Sequence, residues 1–489
     1  MNRTHAINAV RNYIAQGQFE ADLRHRVAYP SVSQDDALRA QTDAYLSDII
    51  EPELGAMGFV CTRVANPIAD APPFLIAHRF EADDLPTVLT YGHGDVVAGH
   101  EGRWSEGLSP WEITFKDGAW YGRGTADNKG QHLINFAALR HVIQARDGKL
   151  GYNLKILFEQ GEERGSPGIR EVCTAHQSDL AADVFLASDG PRVAFDQPTL
   201  FLGSRGQVVF ELACTARETG LHSGNWGGIM SNPAIVLTHA IGALVDAHGR
   251  IRVSGLLPPP LPESVRAALS TLPIDSAHLG RELSAGWGEP GLTAAERLLG
   301  WNTLEVLTLH SGNPDKPVNA IPPSANAYCQ LRFVVGTDWT ALEQIVRAHL
   351  DEAGFEDVTV RVLRGSPATR LDPSDPWVQW ASQSIQTTLG KAPAIMPNLG
   401  GTVPNDAFAD ILGLPTIWVP HSYPNCKQHA PNEHLPRAIA EQGLEIMAGL
   451  FWDLGSGITP ARTHTANGKA EATGIAEASG LAEATSPTA

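Results

Sequence analysis

Residues 86–97, PTVLTYGHGDVV, contain a short β-rich run that ends in a glycine and is followed by a histidine and an aspartate. Two later runs have the same form, LKILFEQG at 154–161 and DVFLASDG at 183–190. Helical stretches such as residues 131–145 lie between them. Short apolar strands that alternate with helices are typical of a mostly parallel sheet covered by helices. The sequence therefore predicts an α/β fold with a mostly parallel sheet.

The pattern outside these runs divides the chain. Residues 5–60 show apolar positions at helical spacing. After Gly203 the alternation gives way to longer strands, 208–213 and 325–335, that flank helical segments and a proline-rich stretch, which indicates an inserted α+β domain. The predicted segments are 1–204 for the first part of the main domain, 205–365 for the inserted α+β domain, 366–455 for the second part of the main domain, and 456–489 for a tail.

The tail contains three imperfect six-residue units that begin at Ala470: AEATGI, AEASGL and AEATSP. Each unit carries a glycine or a proline, and none contains an aromatic residue. Such a segment cannot bury enough apolar area to fold alone. We therefore expect the tail to be disordered.

The overall composition is that of an acidic globular protein. Its 489 residues are 43% hydrophobic, and 36 Lys and Arg face 54 Asp and Glu, a formal charge of −18. This charge repels phosphate backbones and anionic lipid surfaces, so neither nucleic acid nor a membrane is an expected partner. The five cysteines include no C-x-x-C pair, and no apolar run approaches the roughly 18 residues of a membrane span. We expect a cytoplasmic protein.

Polar side chains follow each of the three predicted strands. His93 and Asp95 follow the first, Glu162 and Glu163 the second, and Asp189 the third. The carboxyl ends of parallel strands meet at one edge of a sheet, where ligands bind in α/β proteins. A neutral imidazole can bind a metal through one nitrogen while a nearby carboxylate fixes the ring. We therefore expect these side chains to share a cleft.

Two further stretches carry candidate ligands. The glycine-rich loop YGRGTADNKG at 121–130 contains Asp127, and QHAPNE at 428–433 contains His429. Taken singly, each motif has an ordinary alternative: a hydrogen-bonded core residue for His93, a turn or helix-capping aspartate for Asp127, and a surface histidine for His429. The functional prediction depends on the whole set.

In chain order the motifs H-x-D, G-R-G-x-x-D-x-K-G, E-E-x-G-S, S-D and H-x-x-N-E resemble those of the M20 metallopeptidase family, particularly its carnosinase-like dipeptidase branch. The resemblance covers residues 10–452. It implies a zinc-peptidase catalytic domain built on the mostly parallel sheet, with the α+β insertion acting as a lid and dimerisation domain.

The same resemblance implies a ligand set for two metal ions. His93 and Asp189 match ligands of one ion, and Glu163 and His429 match ligands of the other. Asp127 matches the carboxylate that bridges both. Two histidines and three carboxylates offer mixed nitrogen and oxygen ligands suited to zinc. The expected cofactors are two Zn²⁺ per subunit, and Mn²⁺ or Co²⁺ are also compatible with these ligands.

Two catalytic roles and one backbone feature follow from the resemblance. Asp95 matches the residue that orients His93, and Glu162 matches the general base, which takes a proton from water and delivers it to the leaving amine. In this family the peptide bond after the bridging aspartate is cis. We therefore predict a cis bond between Asp127 and Asn128.

Matches in and after the inserted domain imply substrate contacts. His222 resembles a histidine that reaches the active site of a partner subunit and stabilises an oxyanion; a buried loop histidine is the alternative. Asn319 and Arg332 resemble a substrate-binding pair, and a guanidinium suits a C-terminal carboxylate, although an ordinary strand arginine has the same appearance. The loop that matches contacts to the same end of the substrate contains Gly400, Gly401 and Thr402.

The sequence departs from the family pattern at two positions. Thr402 stands where related dipeptidases usually have serine, which keeps the hydroxyl and adds a methyl group. Gln428 precedes His429 where a small residue is common, so its amide narrows the pocket. His421 and Cys426 lie close by in sequence, and we interpret both as structural because the matched ligands already complete two sites.

These observations lead to one main hypothesis and two alternatives. The main hypothesis is a cytoplasmic homodimeric dizinc hydrolase that cleaves the amide bond of a dipeptide or similar small substrate with a free carboxylate. An N-acyl-amino-acid deacylase would use the same metals and base on a substrate without a free α-amino group. A non-catalytic binding protein with this fold is the remaining alternative, which the presence of Glu162 and all five ligands disfavours.

Overall fold

A computed structural model describes residues 2–276 and 282–460 of the chain. The tail that we predict to be disordered lies outside these residues from position 461 onward. Residues 456–460, its first part, are described and carry no helix or strand.

Helices occupy most of the first 56 residues, as helical spacing predicts. The apolar positions Tyr45, Ile49, Leu54 and Met57 are all buried. They join a core on one face of the main sheet. The helical segments of this region are Arg3–Ala15, Gln18–Val27, Asp36–Leu38, Arg39–Tyr45, Leu46–Ile50 and Glu51–Ala56.

An eight-stranded, mostly parallel sheet forms the centre of the fold and confirms the predicted α/β class. Its four central strands run parallel, Phe74–Arg79 runs antiparallel to both of its neighbours, and Thr199–Phe201 runs antiparallel to Thr416–Trp418. The three strands predicted from residues 86–91, 154–158 and 183–187 lie within two residues of those bounds. In spatial order the strands are Val60–Val64, Phe74–Arg79, Asn153–Glu159, Thr87–His93, Val184–Ala187, Thr416–Trp418, Thr199–Phe201 and Ala394–Met396.

Successive side chains of this sheet enter two different cores because a strand presents its residues to alternate faces. Val88 and Ile156 belong to one core, and the residues that follow them, Leu89 and Leu157, belong to the other. The main helices of the first face are Arg3–Ala15, Lys129–Ala145, Pro376–Leu389 and Arg437–Leu454. Those of the second face are Ile169–Ala175, Gln177–Leu180, Glu263–Ser270 and Ala294–Leu299.

A second, four-stranded antiparallel sheet lies between residues 206 and 366. Its alternately buried side chains pack against the helices Pro233–Leu244 and Leu342–Glu352, which form a third core. In spatial order its strands are Thr303–Ser311, Ser324–Phe333, Gly206–Thr215 and Val358–Ser366. We propose that this sheet and its helices are the inserted domain.

One part of that segment returns to the main sheet. Val265, Leu269 and Leu299 are buried in the core on the second face of the eight-stranded sheet, not in the third core. The predicted domain of residues 205–365 therefore includes a stretch that packs on the main domain.

Short strands complete the secondary structure. Leu221–His222 pairs with Ala320–Ile321, and His434–Pro436, Ala119–Tyr121 and Thr114–Lys116 form a three-stranded sheet. Among the described helices, none combines the length and apolar character needed to cross a bilayer. The remaining helical turns are Glu162–Arg164, Ser223–Trp226, Ser254–Leu256, Ala407–Ile411 and Pro424–Cys426.

Candidate metal centre

Three neighbouring parallel strands present the predicted site residues at their carboxyl ends. His93 is the last residue of Thr87–His93, and Glu162 and Glu163 begin a short helical turn after the next strand in the sheet. Asp189 follows the strand Val184–Ala187 on the other side. Parallel pairing brings these three ends to one edge of the sheet, as the sequence predicts.

Two loops bring the remaining predicted ligands to this edge. Asp127 comes from the glycine-rich loop before the helix Lys129–Ala145, and His429 comes from the loop before the strand His434–Pro436. The peptide bond between Asp127 and Asn128 is cis, as the family resemblance implies.

The five predicted ligands form two groups that share Asp127. In the first group, Nε2 of His93 lies 3.3 Å from Oδ1 of Asp127 and 3.6 Å from Oδ2 of Asp189. In the second, Nε2 of His429 lies 3.1 Å from both Oδ2 of Asp127 and Oε2 of Glu163. Within each group the ligand atoms all lie within 4.8 Å of one another. The structure thus brings together all five residues chosen from the sequence.

The chemistry of these donors fits two divalent cations. In the described part of the chain, Nε2 of His93 and Oε1 of Glu163 are buried without a hydrogen-bond partner. Buried polar atoms ordinarily have partners, so a metal ion at each group would satisfy atoms that the protein leaves open. Mixed imidazole and carboxylate donors suit zinc and similar ions.

The pKa shifts within the cluster also favour bound cations. Burial raises the pKa of Glu163 to about 7 and that of Asp189 to about 6, and the negative charge of Asp127 adds to both shifts. Hydrogen bonds to Asp127 and Glu163 raise the pKa of His429 to about 11. The cluster therefore holds more negative charge than its surroundings compensate, which favours cations.

Glu162 lies beside the two groups and belongs to neither of them. Burial raises the pKa of its carboxyl well above the ordinary value, although the charge of His93 opposes this shift. A carboxylate that is held next to metal ligands and has a raised pKa is suited to accept and return a proton.

Asp95 connects His93 to the turn that carries the two glutamates. Its buried carboxylate accepts hydrogen bonds from the backbone N–H groups of Glu162 and Glu163, both at 3.1 Å. Its Oδ1 also lies 3.3 Å from Nδ1 of His93, whose Nδ1 is 3.0 Å from the Asp95 carbonyl oxygen. One side chain thus fixes the relative positions of two strand ends.

Glu433 is a site residue for which sequence reasoning gave no role. Its buried carboxylate accepts hydrogen bonds from the guanidinium of Arg123 at 2.6 Å and from the backbone N–H groups of Gly124, Ala126 and Asp127 at 3.1, 2.8 and 3.1 Å. It thereby fixes the loop that presents Asp127. A signal existed, since Glu433 closes the same short motif that contains His429, but spacing alone does not reveal what a carboxylate contacts.

The structure also shows the surroundings of three residues that lie close to His429 in sequence. Gln428, where a small residue is common in the family, donates a hydrogen bond from Nε2 to Oδ2 of Asp127 at 3.2 Å. Buried His421 lies 3.1 Å from the hydroxyl of Ser188, and burial lowers the pKa of its imidazole well below the ordinary value. His421 and the buried Cys426 belong to neither ligand group, which agrees with a structural interpretation.

Some predicted substrate contacts come together and others do not. Nη1 of Arg332 donates to the hydroxyl of Thr402 at 2.9 Å, so the second sheet meets the glycine loop of the main domain here. The loop residues Gly400 and Gly401 line an apolar cavity of about 290 Å³ that also reaches Pro191, two residues after Asp189. The predicted substrate loop therefore shares a cavity with the segment that follows Asp189.

His222 and Asn319 lie apart from these residues, next to each other at an exposed ribbon. His222 ends the strand Leu221–His222, and the carbonyl of Asn319 accepts a hydrogen bond from the N–H of Ser223 at 3.0 Å. In the described part of the chain no hydrogen bond joins either side chain to the metal centre. Their predicted roles, which for His222 require a second subunit, stay predictions.

Comparisons with known proteins agree on one family. The model of peptidase family M20/M25/M40 matches residues 89–453. The chain is 28% identical over 381 residues to a cysteinylglycine-S-conjugate dipeptidase of Corynebacterium striatum, covering 75% of this chain and 79% of that protein. It is 27% identical over 408 residues to a Beta-Ala-His dipeptidase of Rattus norvegicus, covering 78% and 80%.

Solved structures of the same kind share the fold. The di-peptidase Dug1p from Saccharomyces cerevisiae superposes with a TM-score of 0.76 at 23% identity, covering 93% of this chain and 98% of that one. Human carnosine dipeptidase 1 superposes with a TM-score of 0.74 at 23% identity, with the same coverage.

Proposed function

The chain belongs to peptidase family M20/M25/M40 and is a metallopeptidase-type hydrolase, and we propose that it cleaves the amide bond of a dipeptide or similar small substrate with a free carboxylate. The single observation that carries this proposal is the sharing of Asp127 by two adjacent ligand groups. Such an arrangement suits two divalent ions that act on one substrate bond. We propose Zn²⁺ for both, with Mn²⁺ and Co²⁺ as substitutes.

Bound metal ions of this kind lower the pKa of water and polarise a substrate carbonyl. The chain's own residues supply the proton transfer. Glu162, beside the ligands, accepts the proton that water loses and delivers it to the leaving amine. Asp95 holds His93 and the backbone of Glu162 in fixed relation, so that the base stays beside the ligand cluster.

We propose that the carboxylate end of the substrate binds near Arg332 and the loop Gly400–Thr402. The contact between Arg332 and Thr402 supports this placement. The two curated relatives described above are named as dipeptidases, which supports a dipeptide as substrate.

One observation favours the alternative of an N-acyl-amino-acid deacylase. The cavity beside Gly400 and Gly401 is lined by Leu298, Leu299, Met396 and other apolar side chains, and its described lining contains no acid that could pair with a substrate ammonium. An apolar acyl group would bury its surface there.

A comparison of free and N-acetylated dipeptides, with zinc-loaded protein, tests the proposal and separates it from this alternative. Preferential turnover of free dipeptides supports the dipeptidase, and preferential turnover of acetylated ones supports the deacylase. The matched control is Glu162→Gln, which we expect to lower kcat by about 100- to 10,000-fold while both ions stay bound. Absence of turnover in the wild type, with full metal content, would leave the binding protein as the better description.

We also propose a homodimer in the cytoplasm. The exposed position of His222 supports a role toward a second subunit. All five cysteines are free of disulfide bonds, which supports the reducing environment of the cytoplasm. If His222 acts across the interface, mixing a His222→Ala variant with Glu162→Gln should restore part of the activity that each homodimer lacks. No recovery in verified hybrid dimers would remove this role.

A further inference from the structure

Tyr45 and His132 form a buried hydrogen-bonded pair beside the strand end that carries His93. Both side chains are buried, and the hydroxyl oxygen of Tyr45 lies 2.7 Å from Nε2 of His132. Tyr45 comes from the N-terminal helices, and His132 comes from the helix Lys129–Ala145. Sequence reasoning counted Tyr45 only as an apolar position and gave His132 no role.

This pair occupies the space next to the two glycines that flank His93. A Cβ atom added at Gly94 would meet the ring of Tyr45 at 2.5 Å, and one added at Gly92 would meet Cβ of His132 at 3.2 Å. The sequence Gly-His-Gly therefore leaves room for both side chains. They pack against the backbone on the two sides of a proposed metal ligand.

Asn128 connects the pair to the other ligands of the first group. It directly follows Asp127, and its Oδ1 lies 3.3 Å from Nδ1 of His132. Its Nδ2 donates a hydrogen bond to the carbonyl of Ser188 at 3.0 Å. Burial raises the pKa of the neighbouring Asp189, and a hydrogen bond from the Asn128 side chain opposes this shift. The three buried side chains together reach every segment that supplies a ligand to the first group.

The direction of each hydrogen bond follows from the last acceptor. A backbone carbonyl can only accept, so the amide nitrogen of Asn128 faces Ser188 and its oxygen faces His132. Neither partner of the His132 ring is acidic, and a buried imidazolium without a carboxylate partner is costly, so the ring is neutral. Its proton is then on Nδ1, and Nε2 accepts from the hydroxyl of Tyr45. Burial raises the pKa of Tyr45, so this hydroxyl keeps its proton.

We propose that Tyr45, His132 and Asn128 are positioning residues for the metal ion of the first group, with His132 held as the Nδ1–H tautomer. The inference rests on the proposed function, because the first group must hold an ion. Hydrogen-bonded side chains behind metal ligands fix the orientation of those ligands and increase the affinity for the metal. Removal of the Tyr45 hydroxyl should therefore weaken metal binding although Tyr45 contacts no metal.

The first experiment determines the tautomer of His132 in the wild-type chain. It uses ¹⁵N NMR of protein labelled at histidine, with His132→Gln to assign the signals. We expect a protonated Nδ1 and an unprotonated Nε2 in both metal-free and zinc-loaded protein. A protonated Nε2, with or without a proton on Nδ1, would overturn the proposal. This readout depends on neither turnover nor bound zinc.

The second experiment compares Tyr45→Phe with Tyr152→Phe by zinc titration against a competing chelator. Both changes are made in His429→Ala protein, where only the first group keeps all its ligands, so that the titration reports that group. Tyr152 is the matched control because it is buried in the same core, and its hydroxyl has no hydrogen-bond partner in the described part of the chain. We expect Tyr45→Phe to lower the zinc affinity by about 10-fold, the lower end of the range for residues behind metal ligands, and Tyr152→Phe to leave it unaltered.

The possible failures of this inference and of the proposed function are distinguishable. Equal zinc affinities in Tyr45→Phe and Tyr152→Phe would show that Tyr45 serves packing alone, and would overturn the positioning role while leaving the metal centre. Failure of the wild-type chain to bind zinc would remove the proposed function and the positioning role together. A lower affinity in Tyr45→Phe alone supports the positioning role even if no dipeptide is cleaved.

Discussion

The two halves of the metal centre differ in how closely the protein encloses them. The side chain of His93 is completely buried, and Asp95 contacts its second ring nitrogen. The side chain of His429 is 56% exposed, and its backbone has a φ of 61°, which a residue with a side chain seldom adopts. Both halves share Asp127. Enclosure by fixed side chains prepares a ligand for its metal, so the two halves should bind their ions with unequal strength.

The largest expected effect comes from removing each histidine in turn. We expect His93→Ala to weaken binding of its ion by more than about 100-fold, beyond the 10- to 100-fold range seen for supporting residues. For His429→Ala we expect a smaller loss, of about 10- to 100-fold, because water can take the vacated position at an exposed site. Zinc titration against a competing chelator measures both. Equal losses would show that enclosure does not distinguish the halves.

The second largest expected effect concerns Glu433, which fixes the loop that carries the shared ligand Asp127. Glu433→Gln replaces a carboxylate that four donors contact, so we expect the affinity of both ions to fall by about 10- to 100-fold. Loss of the buried contact with Arg123 should also lower the free energy of unfolding by about 3–5 kcal/mol.

Glu445→Gln is the control for Glu433→Gln. Glu445 pairs with Arg11, whose side chain is 55% exposed, so the change should cost about 0–1 kcal/mol and leave metal binding unaltered. If Glu433→Gln lowered stability but kept wild-type metal affinity, Glu433 would serve folding alone.

The smallest expected effect concerns His421, a buried histidine that lies outside both groups of proposed ligands. Because burial depresses the pKa of His421, the unfolded chain takes up this proton as pH falls below about 6.5 and the folded protein does not. This contribution to the free energy of unfolding is present above that pH and is lost below it, by about 1.4 kcal/mol per pH unit. Urea unfolding of metal-free protein between pH 7 and pH 5 should show a shallower loss in His421→Gln.

Exposed His5 provides the matched substitution for this measurement. His5→Gln should reproduce the wild-type pH dependence. An identical slope in His421→Gln would show that the His421 imidazole does not resist protonation in the folded state.

Sequence reasoning located the strands because they depend on local signals. A short apolar run that ends in glycine predicts a strand end, and the residue after it, such as His93, then lies at the edge of the sheet. The resemblance of the ordered motifs to the M20 family then identified Asp127 and His429 as ligands.

Contacts between segments that are far apart in the chain could not be predicted from local sequence patterns. The hydroxyl of Thr402 meets Arg205 and Arg332 only because the two sheets pack together, and no local pattern specifies that packing. Similarly, Val265 and Leu269 have apolar spacing suited to any helix, and this spacing does not say which core receives them. Glu433 could be read as part of a motif, but its four donors come from a loop about three hundred residues earlier.

The hydrogen bond between Asp127 and Glu433 determines when the metal site can be completed during protein synthesis. The hydrogen bond from the N–H of Asp127 to Glu433 spans 306 positions. A nascent chain that ends just after the last strand of the main sheet already carries His93, Asp127 and Asp189. It still lacks the segment with Glu433, which fixes the loop that carries Asp127. Contacts of such separation form late because a long loop must close first. Completion of the ligand cluster should therefore await synthesis of the segment that carries His429 and Glu433.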